Sequence, residues 1–360
     1  MASKRVSLKT IAQITGVSVP TVSQILNNKT ANYSSEETRR RVIEASKELN
    51  YRPSFAYKLM QGKNTNTAAI LASSSQLFYE EYLKNIFIEL ATCFEQQKWS
   101  IHTGILTTNI AQNLEVIHQM HQRGVEKVVL IGIPVGWKEI TKTLDEYKIP
   151  YVGMAENAYS RAVLNGSTLA VQKIITYLKQ TAGRQLKLVC PCDKNSSPEE
   201  ISRYKALTAA YPELTSQECL SMTMFLPLLP LQSSDYSSAA RKIGYEATQK
   251  ILQEEPDIKA IVFLNDDFAL GAGYYLMEHP QLQDKIKIAG YNNNANLANF
   301  PIPIITGGAS PHIWASELIN SISQEGDFIK TIPSQLYIRE KDSTKKDYPF
   351  WNEKIISVEI

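Results

Sequence analysis

Cysteine, histidine and tryptophan are scarce in this chain: 360 residues hold 4, 5 and 4 of them. Cys93, Cys190, Cys192 and Cys219 are too few for a disulfide framework, which suits a reducing compartment. Cys190-Pro-Cys192 lacks the spacing of a zinc pair or a redox Cys-x-x-Cys, so packing is its expected role. His118-x-x-His121 has a spacing that can bind a metal on a helix, but no Cys or His nearby completes a ligand set. Gly271-Ala-Gly273 falls inside an expected helix rather than before one, so no phosphate loop is indicated. No serine, histidine and acid stand in a recognisable catalytic motif. Neither enzymatic activity, nor a cofactor, nor a bound metal is therefore expected. No apolar run approaches the length of a membrane span. No basic n-region, apolar core and cleavage site open the chain, so a cytoplasmic protein without membrane contact is expected.

What the chain does have is unevenly placed charge. Residues 1–66 carry 11 Lys/Arg against 4 Asp/Glu, a net of +7, while the remainder is −5. A basic head on a mildly acidic body points to a polyanion that meets only the head. In that head, residues 8–27 read LKTIAQITGVSVPTVSQILN. Leu8, Ile11, Ala12 and Ile14 recur at helical spacing, and Val22, Ile25 and Leu26 do so after them. Gly16 stands where a left-handed cap ends the first helix. Ser18 offers a capping hydroxyl to the second, with Pro20 in its first turn. The pattern fits a helix-turn-helix whose second helix can enter the major groove, although an ordinary helical hairpin has the same periodicity. A third helix, to about Leu49, starts from a capping box read at Ser34 and Glu37.

From residue 68 the rhythm changes. Strands at 68–72, 100–106, 128–133 and 150–154 alternate with helices at 78–97, 109–122 and 138–147. Helices at 169–180, 199–210, 238–253 and 268–278 then alternate with strands at 186–190, near 222–225, at 258–264 and at 286–290. Such alternation argues for parallel sheets covered by helices. Ligands of such sheets bind beyond the C-terminal strand ends, here loops carrying Ser74 with Phe78 and Tyr79, Trp137, Asn265 with Asp266, and Asn292.

The wording of the head narrows the reading. Lys9-x-Ile11-Ala12, Gly16-Val17-Ser18, Thr21-Val22-Ser23 and Leu26-Asn27 resemble the N-terminus of the LacI/GalR family of bacterial transcription regulators. The likeness continues through Ser35-Glu36-Glu37-Thr38, Glu48-Leu49-Asn50-Tyr51-x-Pro53 and Leu59 before Gly62-Lys63. The resemblance implies an N-terminal all-α helix-turn-helix domain joined to a bilobed, periplasmic-binding-protein-like α/β domain of two parallel-sheet lobes. The expected divisions are a DNA-binding domain at 1–52, a hinge helix and linker at 53–66, a bilobed domain at 67–342 and a C-terminal extension at 343–360. Lobe one would take about 67–164 and 291–323, and lobe two about 165–290 and 324–342, with crossings near Asn165, Tyr291 and Gln324.

The resemblance also assigns roles. Val19, Pro20 and Gln24 become base readers: Gln24 can pair bidentately with adenine, and Val19 and Pro20 can touch a thymine methyl. Ser18, Thr21, Ser23, Asn27 and Tyr51 are expected near the DNA, mostly at phosphates. Lys4 and Arg5 form a basic arm, and Leu59 matches the leucine that wedges into the minor groove. Arg203 matches the family's effector-contacting arginine, and Asp266 lies in the best-matching motif of lobe two. Each has a plainer alternative: Arg203 could pair with Glu199 or Glu200, and Asp266 could only cap the following helix. Three positions depart from the family pattern, where Ala155, Asn165 and Asn292 replace common aspartates. The expected protein is a homodimeric repressor on a pseudo-palindromic double-stranded operator, modulated by a sugar or related metabolite between the lobes. The alternatives are a regulator whose degenerate pocket leaves control to a protein partner or to abundance, and a solute-binding receptor.

Overall fold

The computed structural model describes residues 6–27, 34–51, 64–73, 81–155, 158–191, 197–198, 201–227, 236–263, 265–342, 344 and 351–358. Lys4, Arg5, Leu59, Ser74, Phe78 and Tyr79 lie outside the described residues, as does the expected hinge helix. The chain divides into two compact units, Met1–Thr65 and Asn66–Ile360. No described helix is long and apolar enough to cross a membrane.

The small unit has three helices, α1 (Leu8–Thr15), α2 (Val19–Leu26) and α3 (Glu36–Glu48). Ser7 and Thr10 cap α1 reciprocally, and Gly16 ends it at φ 69°. A left-handed residue here reverses the chain within one turn, which glycine does without a Cβ penalty. The Ser18 hydroxyl accepts from the Thr21 N–H, and Pro20 sits in the first turn, as the sequence predicts. The cap of α3 is one residue later than expected: Ser35, not Ser34, accepts from the Thr38 N–H. Either serine could cap; this register turns Val42 and Ala45 onto Ile11, Ala12, Val22 and Ile25 in the core.

The larger unit contains two sheets. The first runs β11-β5-β4-β3-β1-β2, all parallel. Its strands are β1 (Thr67–Ser73), β2 (Ser100–Leu106), β3 (Lys127–Ile131), β4 (Tyr151–Met154), β5 (Arg161–Asn165) and β11 (Phe328–Ile332). Helices α4 (Glu81–Gln96) and α12 (Pro311–Ser321) cover one face, with Leu90 and Leu318 packed over Ile70 and Val129. Helices α5 (Ile110–Gln122) and α6 (Trp137–Glu146) cover the other, with Ile117 and Ile140 over Leu71 and Val128.

The second sheet runs β13-β12-β10-β9-β8-β6-β7. Strands β6 (Leu186–Pro191), β7 (Thr223–Leu226), β8 (Ala260–Phe263), β9 (Lys287–Ala289) and β10 (Ile304–Gly308) are parallel. Strands β12 (Ser334–Lys341) and β13 (Trp351–Val358) complete it antiparallel. Helices α7 (Ser167–Ala182), α8 (Ser202–Ala210) and the short α9 (Ser216–Ser221) lie on one face, and α10 (Tyr236–Glu254) and α11 (Asp266–Glu278) on the other.

Three sequence expectations need correction. The first crossing does follow Asn165, between β5 and α7. The second falls at residues 309–310, not near Tyr291, because β10 still adds a parallel strand to the second sheet after β9. The third falls at residue 333, not near Gln324, because β11 first pairs with β5 from Phe328↔Arg161 to Ile332↔Asn165. The expected extension at 343–360 is no appendage either. Its β13 pairs with β12 over the full register Ser334↔Val358 to Lys341↔Trp351, so it closes the second sheet.

Several helices end in a Schellman turn. After α6, Ile149 N–H donates to Leu144 O (2.9 Å) and Lys148 N–H to Asp145 O (3.0 Å). The left-handed residue is Lys148, at φ 55° and exposed. A side chain there is strained and contributes no packing, so Lys148→Gly is expected to raise stability by about 0.5–1 kcal/mol, read as a later urea midpoint. An earlier midpoint would rule out strain at this turn.

Candidate DNA-reading helix and interlobe site

In the small unit the first turn of α2 faces outward. Ser18, Val19, Pro20 and Gln24 are exposed, Val19 at 40%. Val19 therefore does not serve the helix-turn packing, which Val17, Val22 and Ile25 provide. The Ser18 and Thr21 hydroxyls are 2.8 Å apart, so they hold each other at the cap. Asn27 folds its amide back, donating to Ser23 O (2.7 Å) and Ser23 Oγ (3.3 Å). Tyr51 packs against the core where Asn50, at φ 49°, turns the chain out of α3. The arrangement presents an apolar contact, a hydroxyl edge and one planar amide side by side. Such groups are of the kind that can meet base edges.

In the larger unit, the parallel strands of the second sheet follow the order 2-1-3-4-5, and those of the first do the same with β11 added beside β5, giving switch points between β1 and β3 and between β6 and β8. The strand ends there are where such sheets bind ligands. On the first sheet, Trp137 opens α6 and meets Tyr159 edge-on at 6.0 Å. Tyr159 donates to Gly132 O (2.6 Å), and its ring covers Gly153, where a Cβ would lie 1.9 Å from the ring. Trp137 thus joins the apolar layer of the first lobe.

On the second sheet the predicted polar residues are brought together but turned inward. Asn265 caps α11: its Oδ1 accepts from Asp267 N–H (3.1 Å) and Phe268 N–H (3.3 Å), and its Nδ2 donates to the Tyr236 hydroxyl (3.3 Å). Asp266 is 1% exposed. Its carboxylate accepts from Asn294 N–H (2.7 Å) and from the Thr306 hydroxyl (2.7 and 2.9 Å). Burial outweighs these bonds and pushes its pKa up to about 7. Neither residue offers an effector the free planar group the sequence suggests. A carboxylate this deep must be satisfied by the chain itself, and Asn294 in the β9–β10 connection and Thr306 on β10 supply the donors.

Arg203 lies on the buried side of α8, its guanidinium carbon 4.7 Å from the Tyr291 ring centre. Tyr291 shares its hydroxyl with Ser334 Oγ (3.1 Å). Asn292 is half-buried at φ 107°, with its N–H on Gly307 O (2.8 Å). Ala155, at the end of β4, is half-buried against the apolar layer of the first lobe.

The sequence reading passed over Tyr82, Trp314, Asp267 and Arg241. Tyr82 opens α4 and is buried; its hydroxyl accepts from Trp314 Nε1 and hydrogen bonds with Asn165. Burial first, then the nearby Tyr291, drives its pKa far upward, with Asp266 adding a smaller push. First-lobe Tyr82 thus meets the field of second-lobe Tyr291 and Asp266. Asp267 accepts from Arg241 Nη2 (3.2 Å) and Ser237 (3.2 Å) and feels first-lobe Glu81. Burial still leaves its pKa raised. Tyr82 and Asp267 mark where the lobes meet, each held from within its own lobe, by Trp314 and by Arg241.

Known proteins share this arrangement. Residues 7–54 match the family model described as bacterial regulatory proteins, lacI family. Residues 64–318 match the one described as periplasmic binding proteins and sugar binding domain of LacI family. The HTH-type transcriptional repressor PurR of Escherichia coli O139:H28 is 24% identical over 308 residues, spanning 83% of this chain and 84% of the relative. The HTH-type transcriptional regulator TreR of Salmonella typhimurium is 26% identical over 294 residues, spanning 80% and 84%. Among solved structures, the Lac repressor dimer bound to operator and the anti-inducer ONPF superposes with a TM-score of 0.70 at 18% identity, covering 92% of this chain and 98% of that one. A LacI-family regulator from Silicibacter pomeroyi gives 0.62 at 20% identity, with the same coverage. Family models cover both units, and the chain belongs to the LacI family of bacterial transcription regulators.

Proposed function

We propose that this regulator is a repressor that binds a pseudo-palindromic double-stranded operator as a homodimer, one half-site per protomer. The observation that carries the reading is the exposed start of α2, with Ser18, Val19 and Pro20 at its first turn and Gln24 one turn on, on a basic unit. Gln24 reads adenine, Val19 and Pro20 contact a thymine methyl, and Ser18, Thr21, Ser23, Asn27 and Tyr51 hold phosphates. Lys4 and Arg5 add an electrostatic arm, and Leu59 wedges the minor groove, as the family resemblance implies. No catalytic role is proposed, and the DNA partner sets the site of action in the cytoplasm.

A small-molecule effector between the lobes modulates the DNA affinity. It acts only through its different affinity for two lobe arrangements. With Asn265 and Asp266 committed inside, Arg203, Asn292 and the seam residues Asp267 and Arg241 become the contacts. Asn165 bonding to Tyr82, with Ala155 lacking a carboxylate, favours a ligand with few hydroxyls over a plain sugar.

The test is selection from a random duplex pool with the full chain. The expected enriched site has two inverted half-sites. Gln24→Ala is expected to relax one position in each half-site, at about 1–3 kcal/mol against the preferred base. Enrichment of a motif without inverted symmetry would sink the dimeric reading, and an unchanged base preference would remove Gln24 as a reader.

A further inference from the structure

Helices α4 and α12 pack side by side over the first sheet. Glu89 and Cys93 are one turn apart on α4, so their side chains share a face. His312 stands in the first turn of α12. Its Nδ1 is 2.7 Å from Glu89 Oε1. One ligand atom from each of Glu89, Cys93 and His312 lies within 4.8 Å of the other two. We infer that these three residues form a binding site for a divalent transition-metal ion, Zn2+ foremost, with a fourth position open to solvent.

The chemistry of the set selects the ion. Zinc takes thiolate sulfur, imidazole nitrogen and carboxylate oxygen at about 2.0–2.3 Å, which places tetrahedral ligands about 3.3–3.8 Å from one another. Side-chain rotation at half-buried Glu89 and Cys93 and exposed His312 covers the remaining distance. The mixture is too soft for calcium or magnesium, which take oxygen ligands. Charge balances as well: one carboxylate and one thiolate neutralise a divalent ion. That charge outweighs the unfavourable positive end of α12 near His312.

Without metal, burial keeps the Cys93 thiol protonated, and the Glu89 charge adds to this. Binding releases that proton, as it does at other thiolate sites. A surface ion pair joins Glu89 to His312, and Cys93, at the edge of the apolar layer under α4, brings a thiol within reach of both. The consequence is mechanical. Helix α12 begins directly after the crossing at residues 309–310, so the ion braces that crossing against α4.

The experiment titrates Co2+ into the full, reduced chain and follows absorbance. One equivalent is expected to give a thiolate-to-cobalt charge-transfer band, which Zn2+ then erases. Cys93→Ser is expected to abolish the band. His312→Ala, at an exposed position that does not support the fold, is expected to weaken Co2+ binding by more than the roughly 10–100-fold typical of losing an outer partner of a metal ligand. No band in the parent chain, or a band that survives Cys93→Ser through Cys190, Cys192 or Cys219, would overturn the site. Unchanged affinity in His312→Ala would do the same.

Discussion

Gly271→Ala destabilises the larger unit by about 3 kcal/mol or more, at the upper end of what overpacking costs. Gly271 lies in α11, where an added Cβ would sit 1.9 Å from Arg241 O and 2.8 Å from Tyr245 N of α10. Gly244 of α10 answers it: a Cβ there would be 2.0 Å from Phe268 O. Both obstacles are backbone, so no rotamer change relieves them. The helices must move apart, and that opens the layer formed by Ile251, Phe263, Phe268 and Leu276. The contrast is Gly183, at φ 56° with nothing within 4 Å of a Cβ. Gly183→Ala meets no neighbouring atom and carries only backbone strain, about 1–3 kcal/mol at φ 56° and ψ −124°. Urea unfolding of the full chain separates the two cases. A Gly271→Ala midpoint no lower than that of Gly183→Ala would mean that α10 and α11 are not in backbone contact.

Sequence periodicity reveals that Gly271 is helical but not why it is glycine. The same limit runs through the whole chain. Helices α1 and α2 are legible because an apolar stripe, a left-handed glycine and a capping serine agree within twenty residues. Strand β1, buried along its whole length, reads as a continuous apolar run. Strand β10 is missed because prolines precede it and two of its five residues are glycine, so the stretch resembles a loop. Strand β11 alternates too little, with three exposed residues in succession, and β13 is exposed on both faces. Missing these strands displaced two crossings. The site suffers from distance along the chain. Trp314 meets Tyr82 across 232 positions, and Thr306 meets Asp266 across 40, and no local pattern encodes either pair. The family resemblance singled out the Asn265-Asp266 corner, and the structure turns both side chains inward. A capping asparagine before an apolar helix was the signal for the inward role.

Asp266→Asn removes most of a loss of stability that the parent chain suffers between about pH 4 and pH 7. The ordinary aspartate value of 3.8 rises in the fold to about 7, chiefly through burial. Asn294 N–H, the Thr306 hydroxyl and the charge of Arg339 oppose the rise, and Asp267 adds to it. The folded chain therefore holds this proton more tightly than the unfolded chain. Below about pH 4 both states are protonated and the contribution is at its most favourable. As pH rises towards 7 the unfolded chain ionises first, and stability falls. Above about pH 7 both are ionised and the loss is complete. A difference of about three pKa units corresponds to roughly 4 kcal/mol. Asparagine is neutral throughout and nearly isosteric. Its oxygen accepts from Asn294 N–H, and its amide donates to Thr306 Oγ1, which can accept. The variant is thus expected to match the parent near pH 4 and to exceed it by a few kcal/mol near pH 8, measured as urea midpoints across that range. Parallel curves would show that Asp266 folds in with its ordinary pKa, held by its donors alone. The position of the charge gives the comparison a functional side. The Asp266 N–H donates to Tyr291 O (3.0 Å), and its carboxyl reaches Asn294 on the same loop. Ionisation therefore places a buried negative charge beneath the segment that meets Tyr82 of the other lobe, and asparagine keeps the bonds while removing the charge. A change in DNA affinity with pH that disappears in Asp266→Asn would assign that charge a part in setting the lobes.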